Sequence, residues 1–422
     1  MRARRTDLGS GAVVVSESML GADSVSFGLY FPTGSRHETV QNNGISHFLE
    51  HLVFKGTQTR SAEEINREID RLGGGSNAYT SKETLCFHTR VLPDQLPHAV
   101  ELFADLATHA LPDGLESEIE REREVILSEI SAVEDSPEDL VGDLCDRAYF
   151  GEHPLALPVA GSARAVKRLG TAELRGHFAR HIVARDMVVA AAGQVDHDVL
   201  VGLSREYLES IPVGPPAPSL EAPSVQGTNR VLERDLEQVH LCLSARGIAR
   251  GATRRRAAEL LSLIVGEGYS SRLFLEVRDR RGLAYSIYTS LASYLDSGSF
   301  NIYSAVAPEK LAETLEVVGR VLAEVRAGGL TQAELDAAKL NLRTSTILGY
   351  ESSGARMGFL AEQTMLGDRE LSLTAELEMV EQVTLSELRE LAAELLAGPL
   401  ALAAVGPVSS EFFSSGGWEI LA

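Results

Sequence analysis

The chain has 422 residues, 44% of them apolar, and a formal net charge of −21. That length allows two or three domains with sizeable cores. The acidic excess argues against a nucleic-acid partner, which calls for a basic face, and no apolar run approaches the ~18 residues of a membrane span.

Arg2, Arg4 and Arg5 open the sequence without an apolar stretch after them, so no signal peptide is read there. Strands are expected at 12–17 and 24–31. Residues 44–56 then read G-I-S-H-F-L-E-H-L-V-F-K-G. On a helix, His47 and His51 lie one above the other and Glu50 reaches the same side. Ser46 is the expected N-cap, with Leu49, Leu52 and Val53 on the apolar flank. H-x-x-E-H is the inverted form of the zinc-peptidase signature H-E-x-x-H. Two neutral imidazoles form part of a Zn2+ donor set, and the carboxylate can act as a base beside it. The alternative is a helix whose histidines serve only its core or its ends.

A Gly-rich turn and an alternating run at 77–92 follow, then amphipathic helices at 94–110 and 115–133. The segment 76–89 could be an exposed edge strand to which a peptide adds through backbone hydrogen bonds, with Asn77 and Ala78 as the contacts. An ordinary sheet strand is the alternative. On the acidic helix, Glu122 and Glu129 are about two turns apart and share a face. A catalytic zinc takes a third protein ligand, and Glu129 is the candidate. It lies past the charge run, among Ile126, Leu127 and Ile130, where a carboxylate is costly unless paired or metal-bound. Val125, Ile126 and Ile130 are expected to mark the buried side. Most of the other charges in this run read as solvated.

A Pro-rich stretch at 211–226 reads as a linker between two like halves. The division is 1–212, a linker at 213–226, and 227–422. The second half repeats the order of the first, with strand-like runs at 231–244, 284–294 and 299–306 and helices at 254–265, 308–327 and 331–347. V-K-R-L-G-T-A-E-L at 166–174 mirrors V-E-Q-V-T-L-S-E-L at 380–388. The fold class is therefore α+β: two homologous domains, each a sheet with helices packed on one face. Sliding the halves together puts Glu259, Ser262 and Leu263 where His47, Glu50 and His51 stand, and Ala337 and Thr344 where Glu122 and Glu129 stand. The chemistry sits in one copy only, which favours function over scaffold. Three widely spaced cysteines, Cys86, Cys145 and Cys242, read as core residues in a reducing compartment, so the expected location is cytoplasmic.

H-F-L-E-H-L-V-F-K-G-T, then G-G-G-S-N-A-Y-T-S, then E-R-E-V-I-L-S-E together resemble the pitrilysin (insulinase) family of inverted-zincin metallopeptidases. The resemblance covers essentially the whole chain. It implies a processing-peptidase-like fold with mostly antiparallel sheets, and one Zn2+ per chain held by His47, His51 and Glu129. Glu50 would be the general base, and Glu122 a carboxylate that orients a ligand. In S-S-R-L-F-L-E-V-R-D-R-R-G-L-A-Y it also places the family's Arg/Tyr pair at Arg278 and Tyr285. There the tyrosine would donate to the developing oxyanion, and the arginine would hold a substrate carbonyl or orient the tyrosine. The interval from His51 to Glu129 is one residue longer than the commonest family pattern, which a loop insertion accounts for.

The function so implied is a zinc metalloendopeptidase acting on short or unfolded peptides, with Glu50 activating the water. Family members enclose substrate in four such domains, so a two-domain chain implies a homodimer forming a closed chamber, with neither nucleic acid nor membrane as partner. Two alternatives stand: the zinc subunit of a heterodimeric processing peptidase, and a non-enzymatic assembly subunit resembling the core proteins of the respiratory cytochrome complex.

Overall fold

The computed structural model describes residues 3–215, 220–367, 371–398 and 400–414. The chain forms two compact units. The first comprises Met1–Ile130, Leu157–Leu220 and Ile347–Ala375; the second comprises Ser131–Ala156, Glu221–Thr346 and Glu376–Ala422.

The strands of the first unit are β1 (Arg4–Asp7), β2 (Val13–Ser18), β3 (Val25–Phe31), β4 (Asn77–Thr80), β5 (Leu85–Val91) and β6 (Val188–Gly193). They lie in the order β1-β2-β6-β3-β5-β4. The second unit has β7 (Asn229–Glu233), β8 (Val239–Arg246), β9 (Ala284–Ser293), β10 (Gly298–Val306) and β11 (Ala401–Gly406), in the order β7-β11-β8-β10-β9. Leaving out β1, the two orders are the same walk through the sequence. Each sheet has one parallel pair, β2 with β6 and β7 with β11, and is otherwise antiparallel. The duplication read from the chain ends is thus a duplication of topology.

Alternation along β3 shows why each sheet needs two covers. Phe27, Leu29 and Phe31 face a core that includes Phe48, Phe103 and Ile126 from helices. Tyr30, on the opposite face, packs with Met357, Phe359 and Leu360 of the helix Ser353–Met365. Gly28 lets that helix come close, because a Cβ there would lie 3.3 Å from Met357 Sδ. In the second unit the helices Arg255–Val265, Leu311–Arg326 and Leu385–Leu395 cover one face through Leu260, Val318 and Leu391. The helix Pro137–Phe150 covers the other through Val141 and Cys145. So most helices pack on one face, and each opposite face takes one helix from the other half of the sequence. The compact units therefore interlace along the chain, where the division at 213–226 is a single cut; residues 216–219 of that linker lie outside the described residues.

Two long alternating runs are each two strands. The run at 77–92 breaks at residues 81–84, where Ser81 Oγ accepts the Thr84 N–H at 2.9 Å, and β4 turns back on β5. The run at 231–244 breaks between β7 and β8, which do not neighbour each other.

Candidate metal centre

The H-x-x-E-H segment is the helix Ile45–Leu52, and its entry is built differently from the expected Ser46 cap. Gly44 precedes the helix with φ +96°, a backbone that L side chains rarely adopt, and a Cβ there would lie 2.7 Å from the Ala160 carbonyl oxygen. The cap is the buried carboxylate of Glu38. It accepts the N–H of Gly44 at 2.7 Å, the N–H of Ser46 at 2.8 Å and Asn43 Nδ2 at 2.9 Å. Ser46 lies two positions past the cap position, inside the helix, and its hydroxyl bonds His177 Nε2 at 3.1 Å instead. Phe48, Leu49, Leu52 and Val53 are buried. Burying that stripe turns His47, Glu50 and His51 to the remaining side.

The second wall is the helix Glu116–Asp135. Its buried positions are Ile119, Glu122, Arg123, Ile126 and Ile130, which follow the helical period. Val125 is exposed, against expectation, because it falls on the opposite phase. The two carboxylates also exchange the roles that burial arguments assign: Glu122 is buried, and Glu129 is 45% exposed. Glu129 is therefore not a carboxylate stranded among apolar neighbours.

Glu129 Oε2 nevertheless lies 3.7 Å from His47 Nε2 and 3.5 Å from His51 Nε2, and the three donor atoms fall within 4.8 Å of one another. A tetrahedral ion with bonds of about 2.1 Å has donor-to-donor edges of roughly 3.4 Å. Two nitrogens and a carboxylate oxygen at this spacing fit Zn2+. Glu122 Oε2 is 3.1 Å from His51 Nδ1, so the imidazole is held through the nitrogen that faces away from the donor triangle.

Burial, then the neighbouring His51, lowers the pKa of His47 to about 4, so the ring is neutral at physiological pH and its lone pair is free to ligate. Burial raises the pKa of Glu50, against hydrogen bonds from the Thr80 hydroxyl and backbone N–H and the attraction of His51. A carboxylate with a raised pKa is a better proton acceptor.

Asn77 and Ala78 lie on β4, the edge of the first sheet, with Asn77 exposed and Ala78 in the core. What this edge offers a ligand is its backbone and the exposed Asn77 and Tyr79. Arg278 and Tyr285 lie together in the second unit. The guanidinium sits 4.3 Å from the Tyr285 ring centroid and 4.9 Å from that of Phe274, and Tyr285 is 76% exposed. Sequence reasoning gathered the histidines and carboxylates but missed four residues that hold them: Glu38, Lys55, Thr80 and His177. Lys55 and Thr80 lie inside the segments F-K-G and N-A-Y-T, but nothing local names their partners.

In the second unit the matching helix is Arg255–Val265. There Glu259 pairs with Arg256 at 2.5 Å, and the buried Ser262 donates to Thr289 Oγ1 at 3.0 Å. These positions hold the fold together and offer no donor triangle.

A family model described as insulinase (peptidase family M16) matches residues 13–163, and one described as peptidase M16 inactive domain matches residues 168–342. An uncharacterized zinc protease of Mycobacterium tuberculosis is 41% identical over 413 residues, covering 97% of this chain and 94% of the relative. The crystal structure of a peptidase M16 inactive domain from Pseudomonas fluorescens matches with a TM-score of 0.90 at 22% identity, over 97% of this chain and 98% of that one. A chain of complex III2 from Candida albicans matches with a TM-score of 0.85 at 21% identity, over 99% of both. At such identities these two structures carry the fold alone.

Proposed function

The chain belongs to the insulinase (M16) family of peptidases, and from that premise and the site geometry we propose that it is a zinc metalloendopeptidase cutting short or unfolded peptides. The observation that carries the reading is the donor triangle of His47, His51 and Glu129, which would hold one Zn2+ per chain. Zinc in such a site supplies Lewis acidity, polarising the scissile carbonyl and acidifying the attacking water. Glu50, held by Thr80, takes the proton from that water and passes it to the leaving amine. The β4 edge aligns an extended peptide through backbone hydrogen bonds at Asn77 and Ala78, which gives loose sequence preference. Tyr285 and Arg278 belong to the same proposal, the tyrosine as oxyanion donor and the arginine as its orienting cation. A homodimer in the cytoplasm completes the reading; three buried free thiols are consistent with that compartment. Among the described residues no helix is long and apolar enough to cross a membrane.

The rival is a non-enzymatic assembly role, since the same fold occurs in a chain of complex III2 from Candida albicans. One experiment separates them. The purified chain, without a partner, is incubated with a quenched fluorescent peptide beside Glu50→Gln, with zinc content measured for both. Loss of turnover by about 10²–10⁴-fold with zinc retained supports the peptidase and Glu50 as base. A zinc-loaded parent that cleaves nothing overturns it in favour of the assembly role or a missing partner.

A further inference from the structure

We propose that Lys55 is a positioning residue for the metal centre, acting through Glu122 on His51; the proposal rests on the zinc reading above. Glu122 is buried, and its two oxygens have different tasks. Oε2 faces His51 Nδ1 at 3.1 Å, and Oε1 faces Lys55 Nζ at 2.8 Å. Lys55 stands one turn beyond His51 in sequence, just past the end of the helix, with its backbone N–H on the Leu52 carbonyl at 3.0 Å. Its side chain is two-thirds shielded from solvent. The lysine therefore gives the buried carboxylate a partner and pins the oxygen that His51 does not use.

The two imidazoles are not held alike. His51 has this lysine–carboxylate arm behind it, whereas the buried Nδ1 of His47 has no hydrogen-bond partner among the described residues. The orientation of the histidine pair thus depends on the His51 side. A ligand whose outer nitrogen is clamped stays in its coordinating tautomer and rotamer, and losing such a clamp shows as weaker metal retention. Among the described residues the ion pair of Lys55 is with Glu122 and not with the donor triangle, so its removal should act on the metal first and on peptide binding only through it.

The test compares full-length parent, Lys55→Met, Lys55→Arg, Glu122→Gln and the Lys55→Met/Glu122→Gln double variant. Zinc affinity is read by chelator competition, zinc release by transfer to a chromophoric chelator, and ligand geometry from the visible spectrum of the Co2+ form. Lys55→Met should weaken zinc binding about tenfold and speed release correspondingly, with an altered Co2+ spectrum. Lys55→Arg should restore most of the affinity, and Lys55→Met should add little on top of Glu122→Gln. Lys55→Gln stands in if Lys55→Met does not fold by circular dichroism. Parent-like zinc affinity in Lys55→Met, or full additivity with Glu122→Gln, overturns the proposal while leaving the zinc reading intact. A parent that takes up no zinc overturns both.

Discussion

Acidifying the metal-free protein from about pH 7.5 to about pH 5 should remove roughly 4 kcal/mol of stability through two histidines that back the metal-site helix. His177 bonds Ser46 on that helix, and its ring centroid is 4.2 Å from that of His181, which bonds Thr33 Oγ1 at 3.0 Å. Burial first, then the neighbouring histidines, lowers the pKa of His177 to about 3; burial, then His37, lowers that of His181 to about 4. The folded values lie below the unfolded value of ~6.5, so the unfolded chain binds more protons in the window between. Stability is therefore fully present above pH ~6.5 and is lost as pH falls toward the folded values. At pH ~5 each ring loses about 1.36 kcal/mol per pH unit over ~1.5 units, or roughly 2 kcal/mol. His47, also lowered by burial, adds to the same slope. Carboxyls raised by burial, such as Glu38 and Glu267, act in the opposite direction, since protonation relieves them in the folded state. The useful quantity is therefore a difference between two proteins. Urea midpoints of parent and His177→Gln, whose amide can still reach Ser46, are measured across this range. The variant should be less stable at neutral pH and lose about 2 kcal/mol less on acidification. Equal pH slopes in the two proteins would refute the argument.

Glu38→Ala removes the acceptor of three hydrogen bonds at the entry of the metal-site helix, two of them from backbone N–H groups. With buried donors left unsatisfied, the cost should be roughly 2–4 kcal/mol, read as a lower urea midpoint and faster amide exchange at Gly44 and Ser46. An unchanged midpoint would mean that water or a neighbour replaces the carboxylate. Arg356→Met should cost about 3–5 kcal/mol, because Arg356 Nη1 lies 3.1 Å from both oxygens of the buried Glu17 and its loss strands that charge. Adding Glu17→Gln should recover at least half of the loss; no recovery would point to lost packing of the helix Ser353–Met365.

How far the site could be read from sequence follows from how local each contact is. His47, Glu50 and His51 are set by one turn of one helix, so their spacing carried the geometry. Burial is the wrong physical ground for Glu129. Its sequence neighbours Ile126, Leu127 and Ile130 are apolar, but neighbours in sequence point in different directions on a helix. The fully buried set is Ile119, Glu122, Arg123, Ile126 and Ile130, and that set makes Glu122 the buried carboxylate. The Ser46–His177 bond spans 131 residues, and Lys55–Glu122 joins the loop after one helix to the middle of another. Such partners have no periodic signature, which is why the motif could be seen and its supports could not. The interlacing of the halves was hidden for a related reason. An amphipathic helix shows that it will be covered, not which sheet will cover it.

The repeated topology turns this arrangement into an argument about purpose. Two sheets with the same strand order are built from one chain, so each is a control for what the other needs in order to fold. At the helix positions in question the second unit uses Glu259 tied to Arg256 and Ser262 tied to Thr289, ordinary contacts that satisfy themselves within the unit. The first unit instead keeps a His47 ring whose charged form burial disfavours, a Glu50 carboxyl raised by burial, and an acidic Glu129 drawn to within 3.7 Å of His47 and 3.5 Å of His51. Burying the His47 ring and the Glu50 carboxyl costs stability, and the second unit folds with Glu259 and Ser262 at the corresponding positions. A histidine pair and a carboxylate converging on one point in the first unit, with no such group in the second among the described residues, are what a metal-dependent hydrolytic site requires and what the scaffold does not.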